Sequence, residues 1–131
     1  NEPPCPTSVQ AEDWVEEDQS ATFTPYAADH WVRDRLDLRA LSGVAATVIS
    51  LPGHTEGSVV VRLPRAVVVG DLFRGAIVGN SAEMHFYMCD LDDNRRDVRA
   101  LLEQAPSAEL FFVGHFGPVT RDAVVARFVE P

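Results

Sequence analysis

Three apolar runs in this sequence each end in a side chain that can bind a metal ion. These side chains are His54, Asp71 and His115, and neighbouring glycines let the backbone approach a bound ion closely. Strands hold residues rigidly, and ligands held at one edge of a sheet suit a preorganised metal site. The pattern therefore predicts a sheet whose edge carries a candidate metal centre.

Length and composition indicate one globular domain. The 131 residues are 46% hydrophobic and 24% charged, so we expect a single domain over residues 1–131. The formal net charge of −9 argues against a nucleic-acid partner, because sequence-independent binding to phosphates needs a basic stripe. No apolar run approaches a membrane span and no signal peptide is present, so we expect no membrane partner and favour the cytoplasm. The start at Asn1 rather than Met leaves the compartment open.

The two cysteines, Cys5 and Cys89, form no Cys-x-x-Cys pair and are too few for a disulfide scaffold. We expect two partly buried free thiols, as is usual for isolated cysteines. A disulfide between them, or Cys89 as a metal ligand, is the alternative.

The hydrophobic pattern predicts a mixed α/β order with helices on one face of a sheet. Two valine-rich runs about Pro64 and Arg65 predict an antiparallel hairpin. Residues 71–89 predict a loop with one short strand and an aromatic and methionine cluster used for packing. The predicted strands are 44–51, 58–63, 66–69 and 109–113. The predicted helices are 11–18, 26–36, 93–104 capped by Asp92 or Asp93, and 121–128 capped by Thr120.

These residues resemble known motifs. Residues 51–58, then Gly70 and Asp71, then residues 114–118 resemble the third, fourth and fifth motifs of the metallo-β-lactamase superfamily, in the same order. The spacing is similar as well, since a hairpin separates the first two motifs and a helix the last two. Two departures are small: Glu56 stands where the family commonly has proline, and Phe116 separates a histidine and a glycine that are often adjacent.

The resemblance implies a fold, a site and a reaction. The fold is half of a metallo-β-lactamase-like αββα sandwich, with a mixed sheet and helices on one face. The His54 position binds the first metal ion, the Asp71 position bridges both ions and acts as the catalytic residue, and the His115 position binds the second. The implied cofactor is Zn, as one or two ions, with Fe or Mn as alternatives. The implied reaction is metal-assisted hydrolysis of a small-molecule substrate, and His85 is a candidate for substrate contact.

One departure is large. The superfamily's defining His-x-His-x-Asp-His motif is absent, and the only histidine before His54 is His30. The chain therefore resembles only the C-terminal half of the fold. We expect an incomplete dinuclear site with little turnover by this chain alone, and an apolar sheet face that a partner covers.

Three origins agree with this pattern. The chain is a remnant of a longer enzyme, which the start without Met favours, or a naturally half-length protein that pairs with a second copy, or one chain of a split enzyme. The partner is accordingly the missing N-terminal half or a second copy of the chain. Two further functions stay open: a non-catalytic self-associating or interaction module that keeps relic metal ligands, and an ordinary α/β domain with coincidental histidines.

Overall fold

The computed structural model describes residues 27–86, 88 and 90–129. The predicted helix at 11–18 and both cysteines lie outside the described residues. The strands are β1 (Arg35–Asp37), β2 (Thr47–Ser50), β3 (Val59–Arg62), β4 (Ala66–Gly70), β5 (Arg74–Gly75), β6 (Ala82–Glu83), β7 (Leu110–Val113) and β8 (Val119–Thr120). The helices are α1 (Leu38–Ser42), α2 (Leu91–Gln104) and α3 (Arg121–Phe128).

Six of the strands form one mixed sheet in the order β1-β2-β3-β4-β7-β8, and β5 pairs with β6 in a small second sheet. Neighbours in the large sheet are antiparallel, except that β4 and β7 are parallel. It follows that β2, β4 and β7 all run in the same direction. Their carboxyl ends, which carry the three candidate ligands, therefore lie at the same end of the sheet.

Helices α2 and α3 cover one face of the sheet, as predicted. Phe73 is fully buried, with its ring 5.8 Å from Phe111 in β7 and 5.6 Å from Phe128 in α3. Each such side chain contributes about 1.5–3 kcal/mol when it leaves water. The core residues from the sheet and the two helices are Ile49, Val60, Val67, Val69, Phe111, Val98, Leu101, Leu102, Val124 and Phe128.

The opposite face of the sheet is also apolar, but it is half-exposed. Val68 and Phe112 are 42% and 44% exposed, and the register pairs these two residues across β4 and β7. Val61 faces Val68, and Val48 faces Val61, so the same face continues across β3 and β2. We call these four residues and Val59 the open face. The strand predicted at 109–113 is present as β7, and it is buried on its helix side only.

The helix predicted over 26–36 is wrong. Described residues 27–34 are not helical, and Arg35–Asp37 is β1. Trp31, the largest apolar side chain among the described residues of this segment, is 82% exposed, so a helix here would lack its main packing contact. Leu36 instead lies opposite Val48 in the sheet, in the alternating pattern typical of a strand.

The helix caps differ in one detail from the prediction. The Asp90 carboxylate accepts hydrogen bonds from the backbone N–H groups of Asp92 and Asp93 at 2.8 and 2.9 Å, so Asp90 caps α2. The prediction of Asp92 or Asp93 as the cap is wrong, and both lie in the first turn, where carboxylates complement the helix dipole. Thr120 caps α3 as predicted, since its hydroxyl accepts from the Ala123 N–H at 3.4 Å.

The hairpin prediction is confirmed. β3 and β4 are antiparallel, and the Leu63 N–H donates to the Ala66 carbonyl at 2.8 Å across Pro64 and Arg65. The strand predicted at 44–51 is present but shorter, as β2. The described residues between 71 and 89 form two short strands, β5 and β6, rather than the one predicted. In the part of the chain that the structure describes, no helix is long and apolar enough to cross a membrane.

Candidate metal centre

Asp71 and His115 meet because they follow adjacent parallel strands. Asp71 comes directly after β4 and His115 soon after β7, and Asp71 Oδ1 lies 3.7 Å from His115 Nε2. The Gly114 N–H donates to the Gly70 carbonyl at 2.8 Å and ties the two loops together. A Cβ atom on Gly114 would collide with the Asp71 carboxylate. The glycine before His115 is therefore needed for Asp71 to occupy its position.

His54 approaches the same place from farther away. It follows β2, and β3 stands between β2 and β4, which separates the strand ends by about 10 Å. The His54 ring packs edge-on against the His85 ring with centroids 4.8 Å apart. Among the described residues, the donor atoms that all lie within 4.8 Å of one another belong to Asp71, His85 and His115. His54 lies next to this group without being part of it.

His85 occupies the middle of the cluster. Its Nε2 lies 3.7 Å from Asp71 Oδ1, and its ring centroid lies 5.2 Å from that of His115. The His85 side chain is only 10% exposed, whereas that of His115 is 51% exposed. The sequence suggested a substrate contact for His85, and its placement beside the carboxylate makes it a candidate ligand as well. The assignment of His54, Asp71 and His115 as ligands stays a prediction.

The β5–β6 pair brings His85 to this position. Arg74–Gly75 pairs with Ala82–Glu83, so the chain that leaves Asp71 turns back toward it. Ala82 is fully buried, and the Glu83 carboxylate accepts from Arg127 Nε of α3 at 3.2 Å. The Gly75 N–H donates to the His115 carbonyl at 3.0 Å. His85 is therefore held between the core and the loop of His115.

Two buried polar residues of α2 support the site loops. Asn94 Nδ2 donates to the Leu72 carbonyl at 2.6 Å, which holds the residue that follows Asp71. A Cβ atom on Gly53 would lie 2.8 Å from Asn94 Cα and 3.1 Å from the Asp97 side chain. Glycine is thus required for the loop of His54 to pack this closely on α2.

Sequence reasoning missed Asn94 and Asp97, although a signal was present. The two residues lie three apart and, with Val98 and Leu101, are on the buried side of an otherwise charged helix. Burial raises the pKa of Asp97 above its ordinary value of 3.8, and nearby Asp93 adds to the rise. The backbone N–H of Gly53 and the Arg96 guanidinium oppose this effect, because both stabilise the carboxylate.

An aromatic rim borders the two clustered histidines. Phe86 and Phe116 are half-exposed and meet edge-on with ring centroids 6.3 Å apart. The Arg74 guanidinium lies 4.0 Å from the centre of the Phe86 ring, a cation–π contact. Phe116 has a φ of +57°, a left-handed conformation that is costly for a residue with a large side chain. The rim combines an apolar surface with one cation.

The donor set fits a divalent metal ion. Two imidazole nitrogens and a carboxylate oxygen are donors that Zn, Fe and Mn all accept. Tetrahedral bonds of about 2.0–2.2 Å would separate neighbouring donors by about 3.4 Å. The observed 3.7 Å from Asp71 Oδ1 to each Nε2 atom is close to this value. The cluster is therefore a group that could bind a metal.

Comparisons with known proteins agree with the fold. Neither a protein-family model nor a curated protein matches the sequence. Among solved structures, a metallo-β-lactamase family protein from Thermus thermophilus is similar, with a TM-score of 0.57 and 23% sequence identity. The similarity covers 91% of this chain and 38% of that chain, so this chain spans well under half the length of that relative. The resemblance found in the sequence motifs is thus confirmed for the fold: this chain has the α/β fold of part of a metallo-β-lactamase family protein.

Proposed function

We propose that this chain is the metal-binding part of a metal-dependent hydrolase. The observation that carries the proposal is the convergence on one carboxylate oxygen: Asp71 Oδ1 lies 3.7 Å from both His85 Nε2 and His115 Nε2. A carboxylate and two imidazoles are each well hydrated when apart, so bringing them together costs free energy that a shared metal ion would offset. The similar fold of a metallo-β-lactamase family protein supports the same function.

The resemblance assigns the roles. We propose that His54 holds one ion, His115 holds another, and Asp71 bridges them, with Zn as the first choice and Fe or Mn as alternatives. A bound ion of this kind lowers the pKa of a water molecule and polarises a carbonyl or phosphoryl oxygen. Asp71 and the histidines would hold the ions. Asn94 fixes the loop after Asp71, and Asp97 fixes the loop of His54. The substrate that we propose is a small molecule.

The open face supports the need for a partner. Its valines and Phe112 present half-exposed apolar area, which in a stable domain is normally covered. Because this chain spans 38% of the related protein, we propose that the remaining part of the fold covers this face. That partner is an N-terminal half, or a second copy in its place. We expect turnover to require it.

Zinc titration by calorimetry tests the proposal. We expect the wild-type chain to bind zinc and the Asp71→Asn and His115→Ala variants to lose roughly 100-fold or more in affinity, since a ligand contributes more than an outer-shell partner. His30→Ala is the matched control, because His30 is an exposed histidine outside the cluster. If Asp71→Asn and His115→Ala bind zinc like the wild type, the metal centre does not exist and the proposal is wrong.

The open face also favours a second function, a self-associating module that keeps relic metal ligands. Hydrolysis assays separate the two functions. The zinc-loaded chain, alone and with an N-terminal half of the same fold, is given a lactam, a lactone, a thioester and a phosphodiester. Turnover that depends on Asp71 supports the hydrolase, and self-association without any turnover supports the module.

A further inference from the structure

We propose that His85 is the third protein ligand of the metal ion held by His115, so that Asp71, His85 and His115 bind one ion within this chain alone. This inference rests on the proposed function and deepens it, because the sequence motifs contain no ligand at the position of His85. It also changes the expectation of an incomplete site. One ion receives three donors without any residue from a partner.

The distances support His85 as a donor to the ion held by His115. The same atom, Asp71 Oδ1, lies 3.7 Å from the Nε2 atoms of both histidines, and the three donors lie within 4.8 Å of one another. A separation of 3.7 Å is too long for a hydrogen bond between a nitrogen and an oxygen. It is close to the separation of two donors that share an ion.

The position of His54 makes His85 the better third ligand of this ion. His54 follows a strand that β3 separates from β4, and its ring meets the His85 ring edge-on with centroids 4.8 Å apart. The contact orients the His85 imidazole. His54 is left for the other ion, the role that the resemblance gives it.

His85 is also preorganised. Its side chain is 10% exposed, and the segment that carries it is fixed by buried Ala82 and by the ion pair between Glu83 and Arg127. A side chain that is already ordered loses little conformational entropy when it binds an ion. Three protein ligands would leave room for a water molecule or substrate on the ion, as in catalytic rather than structural zinc sites.

Metal NMR on the full chain tests the inference directly. The wild-type chain is loaded with an NMR-active cadmium isotope, and scalar couplings identify the histidine rings bonded to the metal. At one equivalent of metal we expect couplings to the rings of His85 and His115 and none to that of His54. Couplings to His54 and His115, with none to His85, would overturn the inference but leave the proposed function intact.

Chelator competition with zinc adds a matched pair of variants. We expect His85→Gln to weaken zinc binding by about 100-fold or more, beyond the roughly 10- to 100-fold cost of losing an outer-shell group, and His54→Gln to change first-ion affinity by less than about tenfold. Circular dichroism checks that both variants fold. The reverse order of effects contradicts the inference. If the wild-type chain itself binds no metal, the proposed function is wrong as well. This outcome differs from the reversed order of effects, which contradicts only the role of His85.

Discussion

At the scale of single residues, Asp97 is a carboxylate buried beneath the loop of His54. It is 7% exposed, and burial raises its pKa above 3.8. Between pH 3.8 and the raised pKa of Asp97, the folded state therefore binds more protons than the unfolded state. The stability that protonated Asp97 contributes is fully present below pH 3.8 and is lost as the pH rises through the folded pKa.

We predict that Asp97→Asn raises the melting temperature near neutral pH. The amide oxygen can still accept the hydrogen bond from the Gly53 N–H, and the variant has no buried charge to desolvate. The difference in melting temperature between the variant and the wild type should shrink as the pH falls through the raised pKa of Asp97, and it should vanish below pH 3.8. Thermal unfolding across a pH series measures it, with Asp29→Asn, an exposed aspartate outside the helices, as the control. A lower melting temperature for Asp97→Asn near neutral pH would contradict the prediction.

At the scale of elements, Arg121 joins the end of α2 to the beginning of α3. Its Nη1 donates to the carbonyls of Ala105 at 2.8 Å and Ala108 at 3.3 Å, and its Nη2 donates to that of Leu102 at 3.0 Å. The last carbonyls of a helix have no partner within the helix, so these bonds satisfy groups that burial would otherwise leave unpaired. Through α2 the same contacts support Asn94 and the loop after Asp71.

We predict that Arg121→Ala lowers the free energy of unfolding by about 2–3 kcal/mol, the usual range for losing charge-assisted hydrogen bonds to partly buried carbonyls. Arg121→Lys should recover only part of this, because an ammonium group lacks the planar fork that reaches several carbonyls. Urea denaturation measures both variants, with Arg95→Ala on the exposed side of α2 as the reference. Equal midpoints for Arg121→Ala and Arg95→Ala would show that the bridge contributes little.

At the scale of the whole molecule, the sheet has two apolar faces and the described helices α2 and α3 cover one of them. The other, the open face, carries Val68 and Phe112 side by side across the parallel pair of strands. Isolated apolar residues on a surface are normal, but a row of them that crosses four neighbouring strands is typical of an interface.

We predict that the chain self-associates through the open face when no other partner is present. The double variant Val68→Thr with Phe112→Thr should shift the chain toward monomer, because threonine retains strand propensity and lowers the gain from burial. The control is Ile77→Thr with Val78→Thr, two exposed apolar residues outside both sheets. Analytical ultracentrifugation over a range of concentrations measures the association. An equal shift in both double variants, or none in either, would contradict a specific interface.

Local patterns in the sequence were enough for several elements. The Val-rich runs about Pro64 and Arg65 predicted the hairpin, because a two-residue connection joins strands that are adjacent in the sequence. The hydrophobic pattern predicted a helix over 93–104, which is α2, and Thr120 predicted the start of α3. The segment 26–36 was predicted incorrectly, because β1 exists through its pairing with β2 rather than through any strong local preference.

For the candidate site too, some features follow from local sequence patterns and others from tertiary contacts. Local patterns were enough to predict that His54, Asp71 and His115 follow strands, since strand ends and glycines are local features, and the motifs around these residues predicted the fold. Which of these side chains meet depends on how the strands pair. The parallel pairing of β4 and β7 joins Asp71 to His115, the intervening β3 keeps His54 at a distance, and the β5–β6 pair returns His85 to the carboxylate. Such contacts join residues far apart in the chain, and their free energy comes from packing that no local pattern contains.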